Sequence, residues 1–350
     1  MKPSVGRAGS VMWKISLTAL PLAVAFLAMS AIVYSVGRHP LTIFSGMIRN
    51  GVGSLLGLTQ SVTLMIPLLL CALAVAIPAR VGLFNIGGEG QFHIGAIAAT
   101  AIALHVGTLP RIVVVPLMCA TAALAGGMWS ALPGWLRARL GVSEVLVGLM
   151  GNYIGILLVG YLVHGPWKDP SALGWPYSAA FPPSATLPTI GTTYIHIGLL
   201  FAIIIAAAAL WVIRSTTWGF SSRLIQANPA TARYAGVPLI QYVIAAMLVG
   251  GAVAGLAGLG EVSVVQGRLR PDMSPGFGYA GFLIAWLSRN NFAAIVPVAF
   301  AVSALYVGAD ALQLTAGLPS STVDVVAGLV FFAVFLARTI AAPTWEGADA

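Results

Sequence analysis

The sequence consists of strongly apolar runs, most of them about 20 residues long, separated by shorter polar connections. The apolar core of a bilayer is about 30 Å thick, and a helix of roughly 20 apolar residues crosses it. Unpaired backbone groups are too costly in lipid, so such runs must be helical. The runs lie near 15–36, 58–79, 90–109, 112–132, 143–163, 194–213, 239–262, 276–288, 292–314 and 322–340. The sequence therefore predicts an all-α, polytopic membrane protein with about ten transmembrane helices.

Amino-acid composition supports this fold class. Of the 350 residues, 59% are hydrophobic and 7% are charged, whereas soluble domains carry about 25% charged residues. We expect residues 1–350 to form a single transmembrane domain. The run 15–36 follows basic residues, as a signal peptide does, but it exceeds a signal core of about 7–15 residues and predicts an uncleaved first span. The run 276–288 is short and predicts a tilted, broken or re-entrant segment.

The basic residues predict the orientation in the membrane. The net charge of +8 comes from 17 Lys and Arg against 9 Asp and Glu. They are scattered singly between the apolar runs, whereas nucleic-acid binding requires a basic cluster on one face, so no nucleic-acid partner is expected. With the N-terminus inside, eleven of the 17 fall on the inner side. Because basic residues concentrate on the cytoplasmic side, both termini are predicted to be cytoplasmic.

Two connections are long enough to carry a function of their own. The outer one, 164–193, contains six prolines together with Trp, Tyr and Phe, which predicts irregular structure at the membrane surface. It is either an ordered lid or a docking surface for an outside partner. In the inner one, 214–238, Asn228 can cap a helix, Pro229 suits its first position, and Gly236 ends it. This pattern predicts a short inner helix that presents small residues to another protein.

Polar residues inside two apolar blocks mark the first candidate site. The stretch GLFNIGGEGQ, residues 82–91, places Asn85, Glu89 and Gln91 among glycines. Glycine favours non-helical backbone, which survives at membrane depth only where protein buries it or a water-filled cavity meets it. Transporters build binding sites in this way. A tight inner turn with a charged cap is the structural alternative.

The second block, EVLVGLMGNYIG at 144–155, puts Glu144 and Asn152 on about the same helix face. Gly151 and Gly155 form a GxxxG pattern that permits close approach of another helix. The other acidic residues in or near apolar runs are Glu261, Asp310 and Asp324. An unpaired charge in an apolar run is costly, so each of these acidic residues is a candidate functional residue. The alternative is a structural role, in which the residue pairs with Arg268, Arg270 or a backbone dipole.

Several missing motifs exclude whole classes of function. The sequence has no GxxxxGK[ST] loop, so any ATP hydrolysis belongs to another chain. It also lacks HExxH and G-x-S-x-G, which argues against an enzyme. The five histidines are dispersed without ligand spacing, so no metal or cofactor is expected. Cys71 and Cys119 lie in apolar runs, where no disulfide is implied.

Three blocks in order, GLFNIGGEGQFHIGA, EVLVGLMGNYI and TTWGFSSRLIQANPATARYAGV, resemble the permeases of nucleoside and simple-sugar ABC importers. This group belongs with the ribose and branched-chain amino-acid permeases. The resemblance extends from about residue 60 to residue 340. It implies a type II-like importer permease with broken helices in the bacterial inner membrane. Its partners would be a cytoplasmic ATPase with two nucleotide-binding halves, a second homologous permease, a lipid-anchored or periplasmic binding protein, and membrane lipid.

The resemblance also implies roles for particular residues. It makes 214–238 the loop that couples the permease to the ATPase, through Asn228, Pro229, Ala230, Ala232, Arg233 and Gly236. Together with the polar residues in the apolar runs, it assigns a translocation path to Asn85, Gly88, Glu89, Gln91, Glu144, Asn152 and Glu261. Gly148 and Gly151 replace bulkier residues of the family pattern, which would widen a path lined by Asn152.

We expect the solute to be a nucleoside or simple sugar, because uncharged amides suit such molecules better than ions. Branched-chain amino acids or another small solute are an alternative, since one fold serves several substrates. A proton-coupled secondary carrier using Glu89, Glu144 or Glu261 is a further alternative. The capped inner helix argues against it, because a lone carrier has no ATPase to dock.

Overall fold

The computed structural model describes residues 23–24, 26–35, 37–191 and 193–316, with a few isolated positions between 325 and 336. These residues form twelve α-helices: α1 Phe26–Ser35, α2 Pro40–Gly51, α3 Leu55–Ala79, α4 Gly88–Val106, α5 Arg111–Leu140, α6 Glu144–His164, α7 Gly198–Ser215, α8 Thr217–Ala227, α9 Pro229–Tyr234, α10 Leu239–Gly260, α11 Phe277–Leu287 and α12 Phe292–Ala316. A π-helical turn, Glu261–Val265, extends α10. The described part of the chain contains no β-strand, so the prediction of an all-α fold is confirmed there.

Within the described residues, six helices are long and apolar enough to cross a bilayer. They are Leu55–Ala79, Arg111–Leu140, Glu144–His164, Gly198–Ser215, Leu239–Val265 and Phe292–Ala311. The 19-residue α4 is not among them, because its first turns carry Glu89, Gln91 and His93. The run predicted at 322–340 lies mostly outside the described residues, and the run at 15–36 is described only at 23–24 and 26–35, so the count of ten spans stays a prediction.

The short run at 276–288 does form an incomplete crossing. Its helix, α11, has 11 residues, which corresponds to about 16 Å and cannot cross a core about 30 Å thick. Gly276 precedes it with a φ of 98°, a left-handed conformation that glycine adopts without strain. A residue with positive φ thus turns the chain directly into the start of α11.

The chain divides into two compact units, and the first contains residues 1–61 and 304–350. Its described part holds α1, α2, the start of α3 and the end of α12. An apolar cluster joins Met29 and Val33 of α1 to Ile43 and Met47 of α2 and to Ala309 of α12. Apolar burial therefore holds these short helices together.

The second unit consists of residues 62–303. In it, glycines allow the backbones of neighbouring helices to come into direct contact. A Cβ on Gly95 of α4 would overlap the backbone of Gly255 on α10, and one on Gly255 would overlap the carbonyl of Ala122 on α5. A Cβ on Gly126 of α5 would lie 2.5 Å from the carbonyl oxygen of Gly251. Small residues allow such approach between membrane helices. The three helices α4, α5 and α10 thus pack backbone to backbone.

Helix α3 is the buried centre of this second unit. Residues 68–74 are each at most 1% exposed. A Cβ on Gly250 of α10 would lie 2.6 Å from the carbonyl oxygen of Ala74, and one on Gly281 of α11 would lie 2.6 Å from Cβ of Cys71. Cys71 and Cys119 are both free thiols.

The outer connection is ordered by hydrogen bonds to the segment that follows α10. Ser178 N donates to the carbonyl of Leu269 (3.0 Å), and Phe181 N donates to that of Gly267 (2.9 Å). Ser263 Oγ on the π-helical turn donates to the carbonyl of Ala185 (2.9 Å). Apart from one 3₁₀ turn at Pro183–Ala185, the described part of this connection is irregular, as its prolines predict.

We predict that Gly95→Ala destabilises the protein, because its methyl group would overlap the backbone of Gly255. Overpacking of this kind costs about 1–3 kcal/mol. Gly160→Ala on α6 is the matched control, since a Cβ there meets nothing within 4 Å and alanine is the better helix former. Thermal unfolding in mild detergent measures both variants. Equal melting temperatures for Gly95→Ala and the unsubstituted protein would contradict the proposed contact.

Candidate functional site

The candidate site surrounds a break in the helical backbone between α3 and α4. Residues 80–87 are non-helical, and Gly82 in this segment has a φ of 77°. The glycine-rich stretch predicted to be non-helical is therefore only partly so, because Gly88 begins α4 and residues 88–91 form its first turn. Burial varies along the segment: Asn85 is 1% exposed, whereas Phe84 is 56% exposed. Its buried backbone groups need partners from the protein.

Asn85 and Gln91 form a reciprocal pair of amides across the start of α4. Asn85 Nδ2 donates to Gln91 Oε1 (3.0 Å), and Gln91 Nε2 donates to Asn85 Oδ1 (2.7 Å). Asn85 Nδ2 also donates to the carbonyl of Ala74 on α3 (3.0 Å). The pair therefore ties the break to the helices on both sides of it.

Asn152 of α6 supplies both a donor and an acceptor to the same segment. Its Oδ1 accepts from Gly90 N (2.7 Å), and its Nδ2 donates to the carbonyl of Ile86 (2.9 Å). Nδ2 also lies 3.2 Å from Tyr279 Oη on α11. The side chain is completely buried. One amide thus connects α4, α6, α11 and the non-helical segment.

Glu89 links α4 to the start of α11. Its Oε2 accepts from Gly278 N (2.7 Å), one of the amides at a helix start that have no partner within the helix. A carboxylate is also favoured there by the helix dipole. His93, one turn along α4, places Nδ1 2.8 Å from the carbonyl oxygen of Glu89 and 3.8 Å from its Oε1. Glu89 therefore holds the short helix α11 in place.

Glu144 begins α6 and binds the other end of the segment. Its Oε1 accepts from Phe84 N (3.2 Å), and its Oε2 lies 3.4 Å from Arg137 Nε on α5. The Arg137 side chain is 48% exposed, so this ion pair lies at the edge of the packed region and contributes little by itself. Glu144 and Asn152 share one face of α6 and both contact the segment, as their spacing predicts.

Glycines decide how closely the elements around the cluster approach. A Cβ on Gly155 would lie 3.0 Å from Gly90 Cα, whereas one on Gly151 would lie 3.2 Å from Trp129 Nε1. The predicted GxxxG pair therefore faces two different neighbours. A Cβ on Gly148 would lie 3.0 Å from Gly87 N. The prediction that Gly148 widens a path beside Asn152 is wrong, because this glycine closes the contact between α6 and the segment.

The structure brings together all the predicted path residues except Glu261. Asn85, Glu89, Gln91, Glu144 and Asn152 form what we call the polar cluster, and Gly88 packs beside it with a Cβ position 3.5 Å from Gly278 Cα. Glu261 lies in the π-helical turn, and its Oε1 accepts from Gln266 Nε2 (2.6 Å). Asp310 lies exposed on α12, and Asp324 falls outside the described residues.

Three members of the network were missed by sequence reasoning. Tyr279 and Gly278 reach the cluster from the short run at 276–288, which has no polar periodicity to mark it. His93 carried a usable signal, since it follows Glu89 by four residues and therefore lies on the same helix face.

Among the described residues, no group of histidine, cysteine, aspartate and glutamate side chains could hold a metal ion.

The inner connection contains the predicted capped helix. Asn228 Oδ1 accepts from Ala230 N (2.9 Å) and Thr231 N (3.1 Å), and α9 runs from Pro229 to Tyr234. Gly236 follows with a φ of 78° and donates its N–H to the carbonyl of Arg233 (3.0 Å). The sequence signals for this helix are confirmed. A second helix in this connection, α8, was not predicted; Thr216 caps its start, and Thr216 Oγ1 accepts from Gly219 N (3.3 Å).

Ala232 does not face outward as predicted. It is completely buried and packs in an apolar cluster with Val81, Leu83, Ile225 and Met247. A six-residue helix must bury one face to be stable, and Ala232 lies on that face. The surface that α9 leaves open consists of its other residues, including Ala230 and Tyr234, of which Tyr234 is 94% exposed.

The chain has relatives of known class along most of its length. It is 33% identical over 302 residues to a glucose ABC transporter permease protein of Haloferax volcanii, covering 83% of this chain and 79% of the relative. It is 33% identical over 321 residues to a guanosine ABC transporter permease protein of Bacillus subtilis, covering 88% and 89%. A nucleoside ABC transporter permease protein of Lactococcus lactis is 29% identical over 330 residues, covering 91% and 90%.

The family assignment agrees with the apolar helices and with the resemblance seen in the sequence blocks. Residues 57–335 match the family described as the permease component of the branched-chain amino acid transport system. This match covers the whole of the polar cluster and both inner helices. Members of such a family are transport components and not enzymes. The chain is therefore a multi-pass membrane protein that belongs to this family of permease components.

Proposed function

We propose that this chain is the permease subunit of an ABC importer that moves nucleosides or related simple sugars across the bacterial inner membrane. The observation that carries the proposal is the likeness, over most of both chains, to permeases named for guanosine, nucleosides and glucose. The lack of a phosphate-binding loop fits a subunit that depends on a partner for ATP hydrolysis. That partner would be a cytoplasmic ATPase with two nucleotide-binding halves.

The polar cluster supports a path for an uncharged, hydroxyl-rich solute. The side chains of Asn85, Gln91 and Asn152 each offer a donor and an acceptor, and in this conformation they are bonded to one another or to backbone. If α6 and α11 move away from residues 84–90, Asn152 exchanges its protein partners for solute hydroxyls, and the Asn85–Gln91 pair becomes open to the solute. The exchange keeps every buried polar group bonded, as the apolar surroundings require.

The inner helices support a contact with the ATPase. Helix α9 is fixed on one side by the burial of Ala232 and at its start by the Asn228 cap. Its open side presents Pro229, Ala230, Arg233 and Tyr234. A rigid, exposed helix with a small side chain and a large aromatic one is suited to fit a groove on another protein. Val81 and Leu83 precede the polar cluster along the chain and pack in the same apolar cluster as Ala232. A displacement of α9 would therefore also move Val81 and Leu83.

The remaining partners follow from the same proposal. A second homologous permease would complete the path, and a lipid-anchored or periplasmic binding protein would deliver the solute to the outer face. The ordered outer connection, with Trp175 stacked on Tyr177 at 5.9 Å between ring centroids, offers a firm surface for that delivery.

The function is tested by uptake into proteoliposomes that contain this chain with its co-purified partners. We expect ATP-dependent uptake of labelled guanosine or glucose, with no inhibition by excess leucine. Glu89→Gln should keep ATP-dependent uptake, because the amide oxygen can still accept from Gly278 N, and Glu144→Gln, at a second candidate proton site, should keep it too. Uptake driven by a pH gradient without ATP, and lost in Glu89→Gln, would favour a proton-coupled carrier instead.

The orientation is tested by cysteine labelling in a background where Cys71 and Cys119 are replaced by alanine. We expect Ala235→Cys to react with a membrane-impermeant maleimide only in inverted vesicles, and Leu173→Cys only in intact spheroplasts. Both positions are exposed in the chain itself, so the labelling is done on vesicles that contain the permease without its partners. The expectation follows from the bias of basic residues to the inner side. Labelling of Ala235→Cys from outside would reverse the proposed topology.

The coupling contact is tested by two alanines of α9 with opposite environments. Ala230→Arg should fold normally, since Ala230 is exposed, but should weaken ATPase binding at least about tenfold, or 1.4 kcal/mol. Ala232→Arg should instead lower the melting temperature, because it places a charge in an apolar cluster. Co-purification of the ATPase and thermal unfolding separate the two effects. Unchanged ATPase binding and uptake in Ala230→Arg would refute the coupling role of α9.

A further inference from the structure

A groove that the transport path does not use runs between α7 and α10 in the second unit. Its volume is about 390 Å³, within the range of about 300–1,000 Å³ for small-molecule sites. Its walls are apolar and include Ile77 of α3, Ala208 and Val212 of α7, and Val249 and Val253 of α10. Ala208 and Val249 are exposed, so the groove is open along its side. Such a slot fits an extended hydrocarbon chain.

At one end of the groove lies an arginine that has hydrogen-bond partners for only some of its N–H groups. Arg80, which directly follows α3, lines the groove. Its Nη2 donates to the carbonyl of Asn290, and its guanidinium lies 4.9 Å from the ring centroid of Phe292. Its Nε is buried and has no hydrogen-bond partner among the described residues. Arg80 therefore keeps donor capacity and charge that the protein does not use.

A second cation lies at the same end. Arg223 of α8 is exposed, and its Nη1 donates to the carbonyl of Ile213 (2.5 Å), a residue that lines the groove. Burial, and then the positive charge of Arg223, lower the pKa of Arg80. Neither arginine forms an ion pair with an acidic residue in the described part of the chain. Two close positive charges without a counter-ion attract an anion.

Aromatic residues indicate the depth of this end. Trp218 lines the groove and stacks on Tyr242, with ring centroids 5.6 Å apart. Tryptophan and tyrosine prefer the level of the lipid headgroups. The arginines therefore lie at headgroup level while the apolar part of the groove lies at the level of the acyl chains.

We propose that the α7–α10 groove binds a phospholipid with an anionic headgroup, with one acyl chain in the groove and the phosphate between Arg80 and Arg223. Basic pockets between membrane helices on the cytoplasmic side bind such headgroups. The apolar length of the groove favours a lipid over free phosphate. The leaflet follows from the orientation given under the proposed function, but binding itself does not depend on that orientation or on the transported solute.

The site is tested on the purified full-length protein in detergent by native mass spectrometry and thermal unfolding. Phosphatidylglycerol is added and compared with phosphatidylcholine and inorganic phosphate. We expect phosphatidylglycerol to stay bound and raise the melting temperature, with little effect of the other two. Arg223→Gln should weaken retention about fivefold, the effect of about 1 kcal/mol per basic residue near an anionic surface. Arg139→Gln, an exposed arginine at the end of α5, should change nothing.

A second variant tests the apolar part without touching the charges. Ala208→Phe fills the groove from its exposed side and should also reduce lipid retention, while the melting temperature in lipid-free detergent stays unchanged. Equal retention of phosphatidylglycerol and phosphatidylcholine would overturn the proposal, as would full retention in Arg223→Gln. Stabilisation by phosphate alone would reassign the site to a free anion. Loss of association between permease subunits in Ala208→Phe, with lipid retention unchanged, would reassign the groove to a protein contact.

Discussion

The structure around the candidate site depends on one constraint: non-helical backbone buried among membrane helices must find every hydrogen bond within the protein. Residues 80–87 interrupt the helix between α3 and α4, and the buried ones among them, such as Asn85 at 1% exposed, need partners from the protein. Asn152 and Glu144 supply the missing donors and acceptors from α6, as the bonds to Gly90, Ile86 and Phe84 show. The polar cluster therefore stabilises the non-helical segment, and its proposed role in transport is additional to this structural role.

Close packing of glycines makes this arrangement possible. Asparagine and glutamate side chains are short, so Asn152 reaches the backbone of α4 only because Gly90 and Gly155 let the two helices approach, with a Cβ on Gly155 only 3.0 Å from Gly90 Cα. The same principle operates where α4 meets α10 and where α10 meets α5. Because the backbones of such helices are in direct contact, we expect the helices to move as rigid bodies or to change partners, and not to slide gradually along one another.

The two proposed contacts, with the ATPase and with lipid, lie near the same short stretch of chain after α3. Helix α9 rests on an apolar cluster that contains Val81 and Leu83, and Arg80, the residue before them, lines the α7–α10 groove. A movement of α9 that shifts this cluster also shifts the start of the non-helical segment. The apolar cluster under α9 and the α7–α10 groove thus both include residues just before the polar cluster, so the proposed ATPase contact and the proposed lipid site would act next to the candidate path.

The sequence by itself determined the membrane class, the helical fold and the capped inner helix, because hydropathy, length and the Asn228-Pro229 signal act locally along the chain. It also marked most of the polar cluster, since polar residues among glycines are unusual in apolar runs. The tertiary structure alone decided that Ala232 faces inward, that Gly148 closes a contact instead of widening a path, and that Glu261 bonds to Gln266. Tyr279 and Gly278 joined the cluster only through folding. Apart from the local Glu261–Gln266 bond, these facts depend on which helix packs against which, and no local signal carries that information.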